Sequence, residues 1–479
     1  MRKTKIVATM GPATDDPEVL RSLLNAGLDV ARFNFSHGTH EEQQVRLDTF
    51  RKVCDETGRI VAMLADTKGP EIRLGVFEEG KVELAAGNLF TLTSDDVKGD
   101  ASRASVSYAD LPRELTPGTR VLIDDGLIEL TVESITGNDV VTRVINGGPV
   151  SNRKSINIPG VKLNLPYISS TDRSDLRFIA ENGFDILAAS FVRSAEDIKE
   201  IHSELARVNS GNRIRIIAKI ENAEGIKNID SILDVADGLM VARGDLGVEV
   251  AYEELPIIQK ELISKALYRG KEVITATQML ESMINHPRPT RAETSDVANA
   301  IYDGTSAIML SGETAMGKYP VAALSAMARI AERIEKSIDY RERFRRDVHN
   351  PEKSVTNAIS HATVTAAHEL DAAAILTVTM AGTTARSTAK YRPLCPVIAC
   401  TPDPVSARQL KLEWGVVPVL TQKETDTSTL FEHALQLAMD GGYFREGDLV
   451  VLTAGVPIGR TGNTNLLKVH VVGEKAFIF

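Results

Sequence analysis

Hydrophobic positions along this chain gather into short, nearly continuous runs separated by stretches of helical period. The runs are KIVAT (5–9), VARFNF (30–35), IVAMLAD (60–66), ILAASFV (186–192), IRIIAKI (214–220), GLMVARGD (238–245), EVITATQ (272–278) and SAIMLSGE (306–313). Strands covered on both faces read this way. Between them, segments such as PEVLRSLLNAG (17–27) place Val and Leu at helical spacing and close on Gly27. Eight such strands alternating with helices predict an α/β protein built on a parallel (β/α)8 TIM barrel.

One interval breaks the rhythm. Across 70–168 the pattern turns to short alternating stretches and turn signals, as in KVELAAGNLFTLTS (81–94) and VLIDDGLIELTVESITGNDVVTRV (121–144). This predicts a small all-β lid domain inserted into a barrel loop. The remaining segments, 1–69 and 169–345, together match the roughly 250 residues of a typical barrel. A polar stretch at 340–354 marks a second boundary. Beyond it AAAILTVT (372–379), CPVIACT (395–401), DLVVLTAG (448–455) and KVHVV (468–472) predict a C-terminal α/β domain over 346–479.

Composition narrows the setting. Hydrophobic residues make up 43% and charged residues 25%, as in an ordinary globular protein. No apolar run approaches the roughly 20 residues of a membrane span. The apolar core of the N-terminal segment, Ile6 to Met10, is too short for a secretory leader and reads as a first strand. Cys54, Cys395 and Cys400 form no CxxC pattern, which suits a reducing cytoplasm. A net charge of −10 with one Trp argues against nucleic-acid binding.

Candidate chemistry concentrates at the C-terminal ends of the runs, where barrel enzymes place it. In IRIIAKIEN, Lys219 and Glu221 are two apart and point the same way. Burying both is costly unless they pair or bind something, so a structural ion pair and a ligand site both remain open. The second run offers Arg32, Asn34 and Ser36, the third Asp66 and Thr67, and the sixth Arg243, Gly244 and Asp245. The seventh offers Thr275 and Thr277, the eighth Ser311 and Glu313. Glu221 and Asp245 suit a hard divalent cation. Asn34, Ser36, Asp66 and Thr67 suit a weakly held monovalent cation or ordinary loop capping. With Arg32 and Lys219 nearby and no evident nucleophile–base pair, the set favours phosphoryl transfer by positioning and electrostatics.

The segments TKIVATMGPAT, ARFNFSHGTH, LADTKGPEIR, AKIENAEG, MVARGDLGVE, TATQMLESMI…PRPTRAE and IMLSGETAMGKYP together resemble pyruvate kinase, in that family's order and across almost the whole chain. The resemblance implies conversion of phosphoenolpyruvate and ADP to pyruvate and ATP with Mg²⁺ (or Mn²⁺) and K⁺. It implies that Arg32 binds the transferring phosphate, Lys219 stabilises it in flight, and Glu221 and Asp245 hold Mg²⁺. Asn34, Ser36, Asp66 and Thr67 would hold K⁺, and Glu71 implies dependence on it. Gly244 and Asp245 backbone N–H groups would receive the substrate carboxylate. Thr277 would contact substrate and belong to the relay that protonates the enolate, with Ser311 and Glu313 as weaker supports of that relay.

The resemblance also makes the inserted domain a lid, with Arg73 and Lys154 on the nucleotide phosphates; Ser155 stands where Gly is common. TVTMAGTTARS (377–387) resembles an effector-phosphate loop, offering Thr379, Gly382, Thr383 and Thr384. Ala381 there lacks a hydroxyl that many members have, and a plain helix cap fits the loop as well. Arg460 would meet a second phosphate of a sugar-phosphate or AMP effector, and the family implies a homotetramer. A metal-dependent lyase of similar barrel type would share the Glu/Asp pair without needing Arg73 or Lys154. A metabolite sensor using only the C-terminal domain would need none of the barrel's charged groups.

Overall fold

The computed structural model describes residues 1–208, 213–346, 353–423, 427–457 and 462–474. The eight runs become eight parallel strands: Lys5–Thr9, Val30–Asn34, Ala62–Asp66, Ile186–Ala189, Arg215–Ile220, Gly238–Ala242, Glu272–Ala276 and Ala307–Leu310. They follow one another around a closed barrel, which the first and last strands seal with Lys5 opposite Ala307. Several runs overshoot their strands. Arg243–Glu249 is already helix, Thr277 lies past the seventh strand, and Ser36, Ser311 and Glu313 lie past theirs. The polar residues therefore sit largely on the turns that leave the barrel rim.

Strand alternation divides the barrel's apolar residues into two layers. Val7, Val30, Leu64, Ile186, Ile217, Met240, Ile274 and Met309 pack together as one cluster. Their neighbours Ile6, Ala31, Met63, Leu187, Ile216 and Leu239 pack instead with helical residues such as Leu20, Leu47 and Ile263. The first cluster is the interior that a barrel of this size fills with branched side chains. Helices begin where the chain supplies caps. Thr39 and Glu42 form a capping box for His40–Thr57, which ends on Gly58 at φ 61°. Thr290 and Glu293 do the same for Arg291–Asp303.

The inserted segment forms a seven-stranded mixed sheet and a separate two-stranded pair, with one helical turn at Leu111–Glu114. It has its own core, including Phe77, Phe90, Val121, Ile123 and Leu130. Its two connections to the barrel pair with each other, Arg73 opposite Ser155 and Ile72 opposite Ile156.

The C-terminal sheet runs Val416–Leu420, Val397–Thr401, Ala374–Val378, Leu449–Ala454, Leu466–Val471, the last strand antiparallel. The sequence reading missed Val416–Leu420. Pro418 interrupts it, and the strand accordingly lies at a sheet edge, where a missing N–H is tolerated. This domain closes the base of the barrel: Leu412 joins the interior cluster. Around it, Arg215–Glu413 (2.5 Å), Lys411–Asp29 (2.8 Å) and Arg408–Asp185 (2.9 Å) tie the two domains together.

Candidate active site

The interior register that runs apolar through the barrel turns polar in its last layer. Val7 is followed two residues on by Thr9, Val30 by Arg32, Leu64 by Asp66, Ala188 by Ser190, and Ile217 by Lys219. Side chains two apart share a face, so these groups converge at the rim.

Asp66 is the hub. Its carboxylate accepts from Arg32 Nε at 2.6 Å, Lys219 Nζ at 2.9 Å and Ser190 Oγ at 3.2 Å, at 1% exposure. Burial opposes its charge, but Arg32 and Lys219 outweigh that and hold its carboxyl below the usual range. Arg32 also donates from Nη1 to Thr9 Oγ1 at 2.8 Å. Lys219 Nζ reaches Ser190 Oγ at 2.6 Å and Glu221 Oε1 at 2.9 Å. Burial pulls the ammonium's pKa down, yet Asp66 and Glu221 offset this and raise it, so Lys219 is a fixed cation rather than a base.

Glu221 is 1% exposed and accepts the Phe191 N–H at 2.6 Å. Phe191 reaches it only by adopting φ 53°, a strained conformation for an aromatic residue. Burial pushes the Glu221 carboxyl up to about 7; Lys219 opposes this, and the charges of Asp245 and Asp66 add to it. Asp245 is raised as well, first by burial. The charge of half-buried Asp245 raises the Glu221 carboxyl, a repulsion that a divalent cation would relieve. The donor set thus fits Mg²⁺ or Mn²⁺. Among the described residues no group of three or more His, Cys, Asp or Glu forms a metal cage.

The remaining rim residues are held by short local bonds. Asn34 lies opposite Asp66 in the register, and its Oδ1 accepts the Ser36 N–H at 3.0 Å. Thr67 Oγ1 accepts the Ser190 N–H at 3.2 Å. Arg243 donates to the Thr277 carbonyl (2.6 Å) and Asp296 (2.7 Å). Thr277, at φ 68°, donates from Oγ1 to the Ala276 carbonyl and accepts the Gly244 N–H at 2.8 Å. That N–H is therefore engaged, not open. Glu313 accepts N–H groups of Leu280 and Ser311, a loop-fastening role, while Ser311 Oγ is buried without a partner.

A cavity of about 480 Å³ lies between lid and rim, bordered by Glu71, Asn157, Phe191, Asn222, Asp245 and Glu249. The lid cations are paired within the lid: Arg73 with Glu71 at 2.7 Å, Lys154 with Asp124 at 2.8 Å. The charge of Arg73 nonetheless helps depress the His37 pKa, after burial and together with Arg32. In the C-terminal domain, Thr379 to Thr384 span a turn into the helix Thr383–Ala389, with Gly382 at φ 78°. Arg386 folds back onto the Ala381 carbonyl at 2.6 Å, and Thr384 meets Thr464 at 3.0 Å. Arg460 lies outside the described residues.

The sequence reading left the first and fourth strand ends without chemistry, and the structure fills both, with Thr9 and Ser190. Counting two residues past the last apolar interior position would have found each.

Residues 1–324 match the family model described as pyruvate kinase, barrel domain, and residues 357–470 that of the pyruvate kinase alpha/beta domain. The chain is 49% identical over 475 residues to a pyruvate kinase of Geobacillus stearothermophilus, covering 99% of this chain and 81% of the relative. It is 50% identical to one from Sporosarcina psychrophila, with the same coverage. It is 47% identical to one from Clostridium acetobutylicum, covering 98% of this chain and all of the relative. Matched in both its domains and along nearly its whole length, the chain belongs to the pyruvate kinase family.

Proposed function

We propose that this protein transfers the phosphoryl group of phosphoenolpyruvate to ADP, giving pyruvate and ATP as the last step of glycolysis. The observation that carries the reading is the convergence of Arg32, Lys219, Glu221 and Asp245 at one rim beneath the lid. A metal-dependent lyase would need the carboxylates but not a permanently charged lysine between them.

Arg32 has Nε and Nη1 fastened to Asp66 and Thr9, a fixed mounting for a guanidinium that receives the transferring phosphate. Lys219 is a point charge for phosphoryl oxygens in flight. Asp66, Ser190 and Glu221 hold it in place before substrate arrives, so little reorganisation accompanies reaction. Glu221 and Asp245 would hold Mg²⁺ or Mn²⁺, which supplies charge neutralisation at the phosphoryl oxygens. Asn34, Ser36, Asp66 and Thr67 would hold K⁺. The substrate carboxylate takes the backbone N–H groups of Gly244 and Asp245, displacing the Thr277 hydroxyl and freeing it for substrate contact and enolate protonation.

The lid would bring Arg73 and Lys154 to the nucleotide phosphates, exchanging their bonds to Glu71 and Asp124. Closure also excludes water, which would otherwise take the phosphoryl group. Thr379, Gly382, Thr383, Thr384 and Arg460 would serve a sugar-phosphate or AMP effector, and the assembly would be a homotetramer. The direct test is ADP-dependent pyruvate formation from phosphoenolpyruvate with Mg²⁺ and K⁺. Aldol cleavage without ADP dependence would sink the reading in favour of a lyase.

A further inference from the structure

The lid leaves the barrel at Gly69 and returns at Ser169, and one carboxylate binds both crossings. Asp172 Oδ1 accepts the Gly69 N–H at 3.2 Å. Its Oδ2 accepts the Ser169 N–H at 2.9 Å and the Ser169 hydroxyl at 2.6 Å. Asp172 is 5% exposed and stands in the first turn of the helix Ser170–Glu181. A capping box requires only the contacts with Ser169; the bond to Gly69 is additional. Hydrogen bonds to an ionised acceptor are stronger than neutral ones, so the carboxylate holds the two crossings at one spacing.

The helix that carries Asp172 is itself fastened to the barrel. Three residues on, Asp175 Oδ1 lies 2.6 Å from His40 Nε2, and the His40 ring stacks on Phe178 with centroids 4.7 Å apart. Leu176 and Ile179 of the same helix are buried in the barrel's outer core. Both crossings also rest against the end of the fourth strand. Tyr167 donates to the Ser190 carbonyl at 2.9 Å, and an added Cβ on Gly69 would lie 2.8 Å from that same oxygen. The Ser190 hydroxyl in turn meets Lys219. The base of the lid and the mounting of that cation are therefore one assembly.

We propose that Asp172 is a positioning residue for the phosphoryl transfer: a staple that makes the lid turn as one body on both crossings and seat the same way at each closure. This rests on the reaction proposed above. Without the staple each crossing moves by itself, closure loses its register, and water enters. Water then attacks phosphorus in place of the ADP β-phosphate oxygen, and the bond between phosphorus and the enolate oxygen breaks. The enolate takes up the proton that water releases, so the products are inorganic phosphate and pyruvate.

The test compares Asp172→Asn with Ser169→Ala in the full chain. An Asn amide presents one acceptor atom where the carboxylate presents two, so one crossing is released. Ser169→Ala removes the hydroxyl of the helix cap but leaves the backbone bonds of Gly69 and Ser169 to Asp172. In Asp172→Asn, ADP-dependent turnover should fall about 10- to 100-fold. KM for ADP should rise while that for phosphoenolpyruvate stays within about twofold. The ratio of ADP-independent phosphate release to ADP-dependent pyruvate formation should climb about tenfold or more. Ser169→Ala should lower the melting temperature and keep the parent's ratio. Equal kinetics in the two variants would reduce Asp172 to a helix cap and overturn the proposal, as would a parental ratio in Asp172→Asn. A second readout needs no turnover. Spin labels at Val45→Cys on a barrel helix and Leu89→Cys in the lid, both exposed, report the spread of lid positions by pulsed dipolar spectroscopy, with Cys54→Ser and Cys395→Ser to keep labelling specific. That spread should widen in Asp172→Asn and not in Ser169→Ala. An unchanged spread overturns the staple, whereas a parent that makes no ADP-dependent pyruvate sinks the proposed reaction instead.

Discussion

Lys219 Nζ lies 2.9 Å from Glu221 Oε1, two residues on, so the end of a strand and the first residue beyond it set a cation and a carboxylate side by side. The same ammonium reaches Asp66 on another strand, which fixes its direction as well as its charge.

Replacing Lys219 with Met tests that charge. Turnover should fall about 100- to 1,000-fold or more, the scale seen when one transition-state donor is removed. Asp66 keeps Arg32 as a partner, so circular dichroism should report an intact fold. A kcat within severalfold of the parent would remove Lys219 from the phosphoryl transfer.

Glu221→Gln tests the metal site. Divalent affinity should drop at least tenfold, measured by Mn²⁺ or Mg²⁺ titration of the free protein. In the parent, the Glu221 carboxyl at about 7 must lose its proton to bind metal, so affinity should rise with pH up to about 7 and then level off. Stability of the metal-free protein runs the other way. The folded value exceeds the ordinary 4.5, so the stabilisation is complete below about 4.5 and is lost as pH rises through about 7. The Gln variant should lack that component of the melting-temperature profile. Parallel profiles for the two proteins would exclude the assignment.

The monovalent site makes a simpler demand. Activity with Mg²⁺ alone should be low and climb steeply as K⁺ is added. Full activity in K⁺-free buffer would leave Asn34, Ser36, Asp66 and Thr67 with only the structural bonds they already make.

Gly69 tests the lid's attachment. It sits at φ 69°, and an added Cβ would lie 2.8 Å from the Ser190 carbonyl oxygen. Gly69→Ala should cost about 1–2 kcal/mol of stability from backbone strain alone. It should also lower turnover, because the clash pushes on the residue that holds Lys219. An unchanged melting temperature and kcat would show that the segment yields freely.

Much of this was legible in the sequence because periodicity and length are robust signals. Eight runs of the right spacing admit few closed arrangements, and the pairing of Lys219 with Glu221 follows from alternation alone. Val416–Leu420 escaped because Pro418 argues against a strand, a rule that edges relax. Thr9 and Ser190 escaped because a small hydroxyl in a β-branched run reads as packing. The positive φ of Phe191 and Thr277 leaves no trace in composition, since tertiary contacts impose it. The ion pair of Lys154 depends on where a lid turn places Asp124, itself at φ 55°.

The strand that presents Lys219 begins at Arg215, whose guanidinium is gripped by Glu413 from the C-terminal domain and by Glu272. Lys219 follows four positions along the extended chain, about 13 Å away. If Lys219 serves phosphoryl transfer as proposed, it must be aimed to within about half an ångström. The strand's foot is thus clamped by the far domain and its head by Asp66 and Ser190, so a short, stiff segment is anchored at both ends.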